Sequence, residues 1–438
     1  MITRRQALRS SLFGASYLGL RTLATGLPAA LLLDPRKALA DLPVAACTAK
    51  DKAQFVIFAT SGQGDAMNAN VPGTYEDKGI YHSSAPELAA ASMTLGGQKY
   101  TAALPWTQLP QDVLDRLTFW HLMTNNPIHP KEPDVLKLMG ATNAGEMLPS
   151  ILAKRLAPCL GTIQSQPISL GATTPSEGLT FAGQALPIMP ALALKATLTN
   201  PAGPLTNLQP LRDETLNKLY GIYKNGATTA QRQYIDSLVT SQAQVRNIRQ
   251  DLLNQLAAIT DNSIGSQITA AVTLIQMKVT PVIAVHVPFS GDNHRDLELA
   301  SERAQTVSGV AAIGALMTQL KAAGLTDQVT VMSLNVFGRT LSVADSADGR
   351  SHNPNHQVSF TIGKAFKPGV IGGVGPVDKD YGALPIDAKT GKASKSGDIT
   401  AEGTLASYGQ TMLAAMGIAQ PEITKDITKG TVIAGALA

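Results

Sequence analysis

Three short stretches carry the residues best suited to chemistry: Gly64-Asp65, Gly291-Asp292-Asn293-His294 and Ser351-His352-Asn353-Pro354-Asn355-His356. Each follows a short apolar run, directly or after a loop. Carboxylate and imidazole are the ligand types a catalytic divalent ion needs. Asp292 and His294 lie two apart, so extended backbone would point both the same way. A solvated turn is the competing reading, because Asp, Asn and Gly are common turn residues. His352 and His356 sit in a loop without apolar periodicity and are hard to dismiss as packed core residues. Asp65 stands behind Gly62 and Gly64, where the backbone can turn sharply and aim a carboxylate into a crevice. An ordinary Asp turn would look the same.

Of the remaining histidines, His121 and His286 lie inside strand-like runs and are expected to pack or hydrogen-bond internally. His129 lies in a proline-bounded loop and remains a candidate ligand, whereas His82 has no supporting context. Asn335-Val336-Phe337-Gly338-Arg339-Thr340 follows another apolar run. Arg339 could clamp a phosphate or sulfate through paired N–H donors. It could equally hold the sheet end by a salt bridge.

Groups this far apart meet only if the fold gathers them, and a parallel sheet does so along the C-terminal ends of its strands. The runs 54–60, 117–123, 282–287, 329–334 and 358–363 read as strands. Helices are predicted over 146–156, 268–277, 297–323 and 405–416, and 167–204 reads as irregular. Strand–helix–strand order predicts parallel pairing and a doubly wound α/β fold. Between about 205 and 262 the texture changes. Leu216, Leu219 and Ile222, then Ile235, Leu238, Val245, Ile248 and Leu252, mark two amphipathic pieces, read as a helical insert packed over the sheet.

The formal net charge of +4 comes from the leader. Residues 1–40 hold six basic side chains against Asp34, a net +5, which leaves the remainder at −1. No basic, aromatic-interleaved patch occurs elsewhere, so nucleic-acid binding has no residue-level support. Thr3-Arg4-Arg5-Gln6-Ala7-Leu8, a moderately apolar stretch and Ala38-Leu39-Ala40 read as a twin-arginine export signal. Arg21, Gly26 and Pro28 interrupt any membrane-length run, so no stable span is expected after signal removal. Residues 41–438 then form one α/β domain in the periplasm or outside the cell. Cys47 and Cys159 could pair in such a compartment, or remain two buried thiols.

The order Ser61-Gly62-Gln63-Gly64-Asp65-Ala66-Met67-Asn68, Gly291-Asp292-Asn293-His294, Phe337-Gly338-Arg339-Thr340 and Gly349-Arg350-Ser351-His352-Asn353 resembles the domain-of-unknown-function 1501 family. That is a large family of exported bacterial proteins placed in the alkaline phosphatase and sulfatase superfamily. The resemblance spans most of the mature chain. It implies an alkaline phosphatase-like α/β sandwich with metal ligands at Asp65, Asp292, His294 and His352. The implied cofactor is a divalent metal: zinc, calcium or magnesium. Active members of the superfamily attack phosphorus or sulfur with a hydroxyl nucleophile while metals hold the developing charge.

Three positions depart from the family pattern. Val336 replaces an acid, Ser351 replaces an aspartate, and Ile128 replaces a hydroxyl residue ahead of His129. Thr124, Thr74 and Ser83 are substitute nucleophiles, with Thr124 placed first. Two functions follow. One is an exported metal-dependent hydrolase of small anionic phosphate or sulfate esters, with Arg339 on the anion and His356 as extra ligand or acid. The other is a degenerate binding protein that keeps the fold, holds one metal or none, and binds an exported protein partner or a ligand.

Overall fold

Phe55–Thr60 is apolar up to its last residue and buried along its whole length, as a strand covered on both faces must be. It forms β1, an interior strand of a seven-stranded sheet. The computed structural model describes residues 47–438 apart from 50–51, 61–66, 68, 163, 172–177, 200–208, 290–291, 343–347 and most of 229–249. The other sheet strands are β2 (Leu117–Leu122), β3 (Ile168–Ser169), β4 (Val282–His286), β5 (Val329–Ser333), β8 (Gln357–Ile362) and β9 (Gly369–Ile371). A small hairpin of β6 (Gly338–Arg339) and β7 (His352–Asn353) lies between β5 and β8 in the chain.

Across the sheet the order is β9-β2-β8-β5-β1-β4-β3. β1 pairs in parallel with β4 and β5, β3 with β4, and β9 with β2. β8 alone runs the other way, antiparallel to both β2 and β5. One reversed strand leaves the sheet mostly parallel, as the doubly wound reading expects, and the reason for the reversal is local. The chain leaves β5 at one sheet edge, turns through the β6–β7 hairpin, and enters β8 without crossing to the opposite edge.

Side chains alternate across the sheet and build two cores. Ile57, Phe119, Ile283 and Val331 pack with helices α5 (Ile264–Gln276) and α6 (Ala300–Ala322). Val56, Phe58, Trp120 and Met332 face α1 (Leu148–Leu160) and α7 (Thr404–Ala415). Helices on both faces of a mostly parallel sheet make the doubly wound α/β arrangement.

Among the described helices of seven residues or more, two lie outside the predicted set. α2 (Ala191–Thr199) stands inside the stretch read as irregular, and α8 (Gln420–Asp426) follows α7. The region read as a helical insert supplies α3 (Gln209–Asn225) and α4 (Gln250–Ala257). Much of its middle, including Leu238, Val245 and Ile248, lies outside the described residues. The leader lies outside them as well. Among the described residues no helix is long and apolar enough to cross a membrane.

Cys47 and Cys159 form a disulfide that ties the start of the described chain to α1, closing a loop of 112 residues. Replacing both with Ser is expected to lower stability by about 2–4 kcal/mol, because the open chain regains loop entropy when unfolded. Urea unfolding of the two proteins checks this; superimposable curves would contradict it.

Candidate metal centre

The sheet directions bring several loops to one rim. Thr60 at the end of β1 lies opposite His286 at the end of β4, and Ala59 lies opposite Ser333 at the end of β5. Because β8 is reversed, its first residue, Gln357, lies opposite Leu122 at the end of β2. The loop after β2 carries His129, the loop after β4 carries Asp292 and His294, and the β6–β7 hairpin carries Arg339 and His352.

These four ligand-type residues converge. One atom each of His129, Asp292, His294 and His352 lies within 4.8 Å of the others. Asp292 Oδ1 stands 3.2 Å from His294 Nε2, 3.4 Å from His129 Nε2 and 3.9 Å from His352 Nε2. His294 Nε2 and His352 Nε2 are 2.7 Å apart. The cluster opens outward: Asp292 and His294 are exposed, and His129 and His352 are half-buried.

Each member is held by the chain around it. His352 Nδ1 donates to the Pro127 carbonyl at 2.5 Å. That bond fixes the ring and leaves the Nε2 lone pair facing the cluster. The His129 loop is anchored at both ends. The Asn125 amide donates to the Pro354 carbonyl at 2.8 Å. The Thr60 hydroxyl donates to the buried Glu132 carboxylate at 2.6 Å. The His294 loop is tied to the hairpin by Arg350 N–H to Asn293 O at 2.8 Å and Asp296 N–H to Asp348 O at 3.0 Å. Asp296 also caps α6, accepting from the Ser301 and Glu302 amides.

Phe337, fully buried, is the floor of the site. Its ring centroid lies 4.1 Å from that of His352 and 4.9 Å from that of His129, and the Arg339 Cζ is 5.3 Å from it. Arg339 pairs across the hairpin with His352, which places both side chains on one face. Its Nη1 is 3.5 Å from Asp292 Oδ1.

Electrostatics favour ligand-ready protonation states. Partial burial pushes the Asp292 carboxyl up, but His294, His129 and Arg339 outweigh it, and the net position is below the ordinary carboxylate range. Burial lowers His129, against the opposing pull of Asp292. Burial also lowers His352, against its bond to Pro127. Neutral imidazole beside ionised carboxylate is the state in which a divalent ion is bound.

The donor geometry fits an ion. Tetrahedral ligands at about 2.0–2.1 Å from a metal lie about 3.3 Å from one another; four of the separations here are 2.7 to 3.9 Å, and all lie within 4.8 Å, so the side chains would close in slightly on an ion. Both ring nitrogens of His129 are shielded from water, and apart from the Nε2 contact with Asp292 at 3.4 Å neither makes a well-formed hydrogen bond. Buried donors and acceptors are rarely left in that condition without a partner of another kind.

Gly349 makes the close approach of the two loops possible. Its φ is +128°, and a Cβ there would sit 2.4 Å from the His294 carbonyl oxygen. Gly349→Ala is therefore expected to push His294 off the cluster and weaken divalent-ion binding by about 10–100-fold, the usual cost of disturbing a ligand's support. A competition titration with a chromophoric chelator measures this; unchanged affinity would contradict it.

The residues proposed from sequence are distributed as follows. Asp292, His294 and His352 meet, with Arg339 beside them, and His129 joins as a fourth ligand-type residue. Asp65 lies outside the described residues. His356 is fully buried and placed differently. Its Nε2 is 2.8 Å from Nδ1 of His121, whose Nε2 donates to the Pro72 carbonyl at 2.9 Å. It belongs to an internal histidine pair and not to the four-residue cluster. Thr124 is fully enclosed. Thr74 spends its hydroxyl on the Ala69 and Val71 carbonyls, and the Ser83 hydroxyl accepts from the Ala85 amide. Of the three departures from the family pattern, Val336 is buried, while Ser351 and Ile128 are exposed.

The fold and the rim cluster define an α/β protein with a solvent-facing three-histidine, one-aspartate centre. A family model described as "Protein of unknown function (DUF1501)" matches residues 212–383. That stretch carries Asp292, His294, Arg339 and His352; His129 lies outside it. The chain is also similar to the lipoteichoic acid synthase LtaP from Listeria monocytogenes, at 9% identity and a TM-score of 0.37, over 93% of this chain and 82% of that one. A second similar structure is Ps i-CgsB in complex with k-i-k-neocarrahexaose, at 10% identity, TM-score 0.31, and coverage of 86% and 75%. A third is a protein of glycosaminoglycan metabolism from Bacteroides thetaiotaomicron, at 9% identity, TM-score 0.32, and the same coverage of 86% and 75%. No curated protein matches the chain significantly.

Proposed function

We propose that this chain is an exported metal-dependent hydrolase of the alkaline phosphatase and sulfatase type, acting on small phosphate or sulfate esters. The observation that carries the reading is the meeting of His129, Asp292, His294 and His352 within 4.8 Å, contributed by three separate loops. Three imidazoles and one carboxylate suit a zinc-like transition ion. Calcium and magnesium prefer oxygen-rich shells, so zinc is the ion favoured among the three the resemblance implies. Such an ion supplies Lewis acidity toward an ester oxygen. The chain's own residues would do the rest: His352 is held in one tautomer by Pro127, Phe337 forms the buried floor, and Arg339 sets an enclosed guanidinium beside Asp292. The twin-arginine leader supports export to the periplasm.

One observation favours a second reading, a catalytically degenerate binding protein. The Thr124 hydroxyl is sealed in the interior, and Ile128 stands where the family pattern carries a hydroxyl. Turnover of an aryl phosphate and an aryl sulfate by zinc-loaded protein separates the two. The hydrolase reading expects turnover of at least one, lost in Asp292→Ala with His294→Ala. Metal-loaded protein inert toward both would leave the binding reading.

A further inference from the structure

Residues 70–82 run from β1 toward β2 without joining a helix or a sheet, apart from one bridge between Ile80 and Ser342. Separate bonds fasten this strap. His121 Nε2, near the end of β2, donates to the Pro72 carbonyl at 2.9 Å. The Tyr81 amide donates to the Leu341 carbonyl at 2.7 Å, and Arg350 Nη2 donates to the Tyr81 carbonyl at 2.8 Å. Asn70 Nδ2 donates to Glu302 at 2.9 Å. The chain comes so close to His121 that a Cβ on Gly73 would stand 2.6 Å from Nε2. Segments held by a few separate bonds lie at the low end of local stability.

Three imidazoles surround the strap. His121 and His356 are fully buried, with His121 Nδ1 and His356 Nε2 2.8 Å apart. Because His121 Nε2 donates to Pro72, its Nδ1 carries the lone pair, and His356 must donate to it. A proton added to His121 Nδ1 would set two N–H groups head to head. His82, within the strap, stacks on Tyr75 at 3.9 Å and donates from Nε2 to the Thr74 carbonyl at 3.2 Å. Arg350 and Tyr75 face His82, His121 and His356 face one another, and Glu302 on α6 lies toward Tyr75 and is paired with Arg350. Burial holds His82 and His121 down to about 4, and burial together with His121 holds His356 well below the ordinary imidazole range. An imidazole lowered by folding contributes stability that is complete above about 6.5 and is lost as pH falls from there toward about 4.

We propose that residues 70–82 are an acid-released strap: proton uptake at His82 and His121, with His356 behind them, frees the segment from β2 and from Arg350 while the sheet stays folded. Release withdraws Asn70 and Tyr81 from the Arg350–Glu302 pair and slackens the support beneath the rim. The device is independent of the metal reading, since none of the three imidazoles belongs to the rim cluster.

The test is hydrogen exchange read by mass spectrometry on the full chain, with a chelator present, at pH 7 and pH 5 and corrected for the intrinsic pH dependence of exchange. Each lowered imidazole favours the opened state by about tenfold or more between those pH values. Peptides covering 70–82 are therefore expected to lose protection at least about a hundredfold, reversibly, while peptides of β1 and β5 keep theirs. His82→Gln retains an amide donor for Thr74 and cannot titrate. It is expected to keep its protection at pH 7 and to give up about tenfold of the acid response, and His121→Gln is expected to give up a similar share. Protection of 70–82 that holds at pH 5 would overturn the proposal. Equal loss in β1 and β5 would overturn it too, because the whole molecule would then be unfolding. So would an acid response in His82→Gln as large as that of wild type. If His121→Gln does not fold, the wild-type and His82→Gln data still decide the matter.

Discussion

Protein carrying Asp292→Ala together with His294→Ala is expected to bind a zinc-like ion at least about a thousandfold more weakly than wild type. Four-ligand zinc sites bind with about 10–16 kcal/mol, so removing two of four donors costs several kcal/mol. Both side chains are exposed, at 51% for Asp292 and 43% for His294. Their loss therefore leaves the core intact, and thermal unfolding in metal-free buffer should change little. That pairing of outcomes separates a lost ligand set from a damaged fold. Competition against a chromophoric chelator gives the affinity, and a melt gives the control. Equal affinities for the two proteins would show that the cluster is not where the ion binds.

The second large effect lies beneath the rim. Arg350 and Glu302 are both enclosed, at 1% exposure, with Arg350 Nε donating to Glu302 Oε2 at 2.5 Å. Arg350 also donates to the Thr340 and Tyr81 carbonyls at 2.7 and 2.8 Å, and Asn70 Nδ2 donates to Glu302 at 2.9 Å. The pair joins α6, the hairpin and the 70–82 segment into one support under the site. Arg350→Met leaves a carboxylate enclosed without its cation, and is expected to cost about 3–5 kcal/mol. Adding Glu302→Leu removes the orphaned charge, so the double variant should regain much of that loss. Urea unfolding with unchanged slope measures both. An Arg350→Met protein within about 1 kcal/mol of wild type would contradict this account, since breaking such a pair rarely costs so little.

Legibility in the sequence followed burial. β1, β2, β4 and β5 are runs enclosed on both faces, and such runs announce themselves. Strand direction does not: Gln357–Ile362 reads as a strand, but its reversal depends on a two-residue hairpin, Gly338–Arg339 with His352–Asn353, too short to carry a periodic signal. α2 was hidden by the proline and threonine around it, and α8 by the break at Gly417 and by Pro421.

The site was legible in part for the same reason. Asp292 and His294 share one loop, so their partnership is a matter of local spacing. His352 and His356 looked equivalent in sequence. The β7 segment holds His352 at the rim, while His356 enters the sheet edge beside β8 and finds His121. Sequence spacing cannot tell a loop histidine that reaches outward from one that turns in. His129 could be kept as a candidate only because prolines bound its loop. Its membership is a product of the Thr60–Glu132 bond, whose partners are 72 residues apart. Arg339 and Phe337 were adjacent in an apparent motif, yet the role of Phe337 as a shared floor emerges only from ring contacts in three dimensions.

Anomalous scattering at a zinc absorption edge, from crystals of the zinc-loaded protein, tests the central claim most directly. The account predicts one peak on the rim, about 2.0–2.2 Å from a nitrogen of His129, His294 and His352 and from an Asp292 oxygen. A peak bound by other residues, or density showing these four side chains pointing apart, would contradict it.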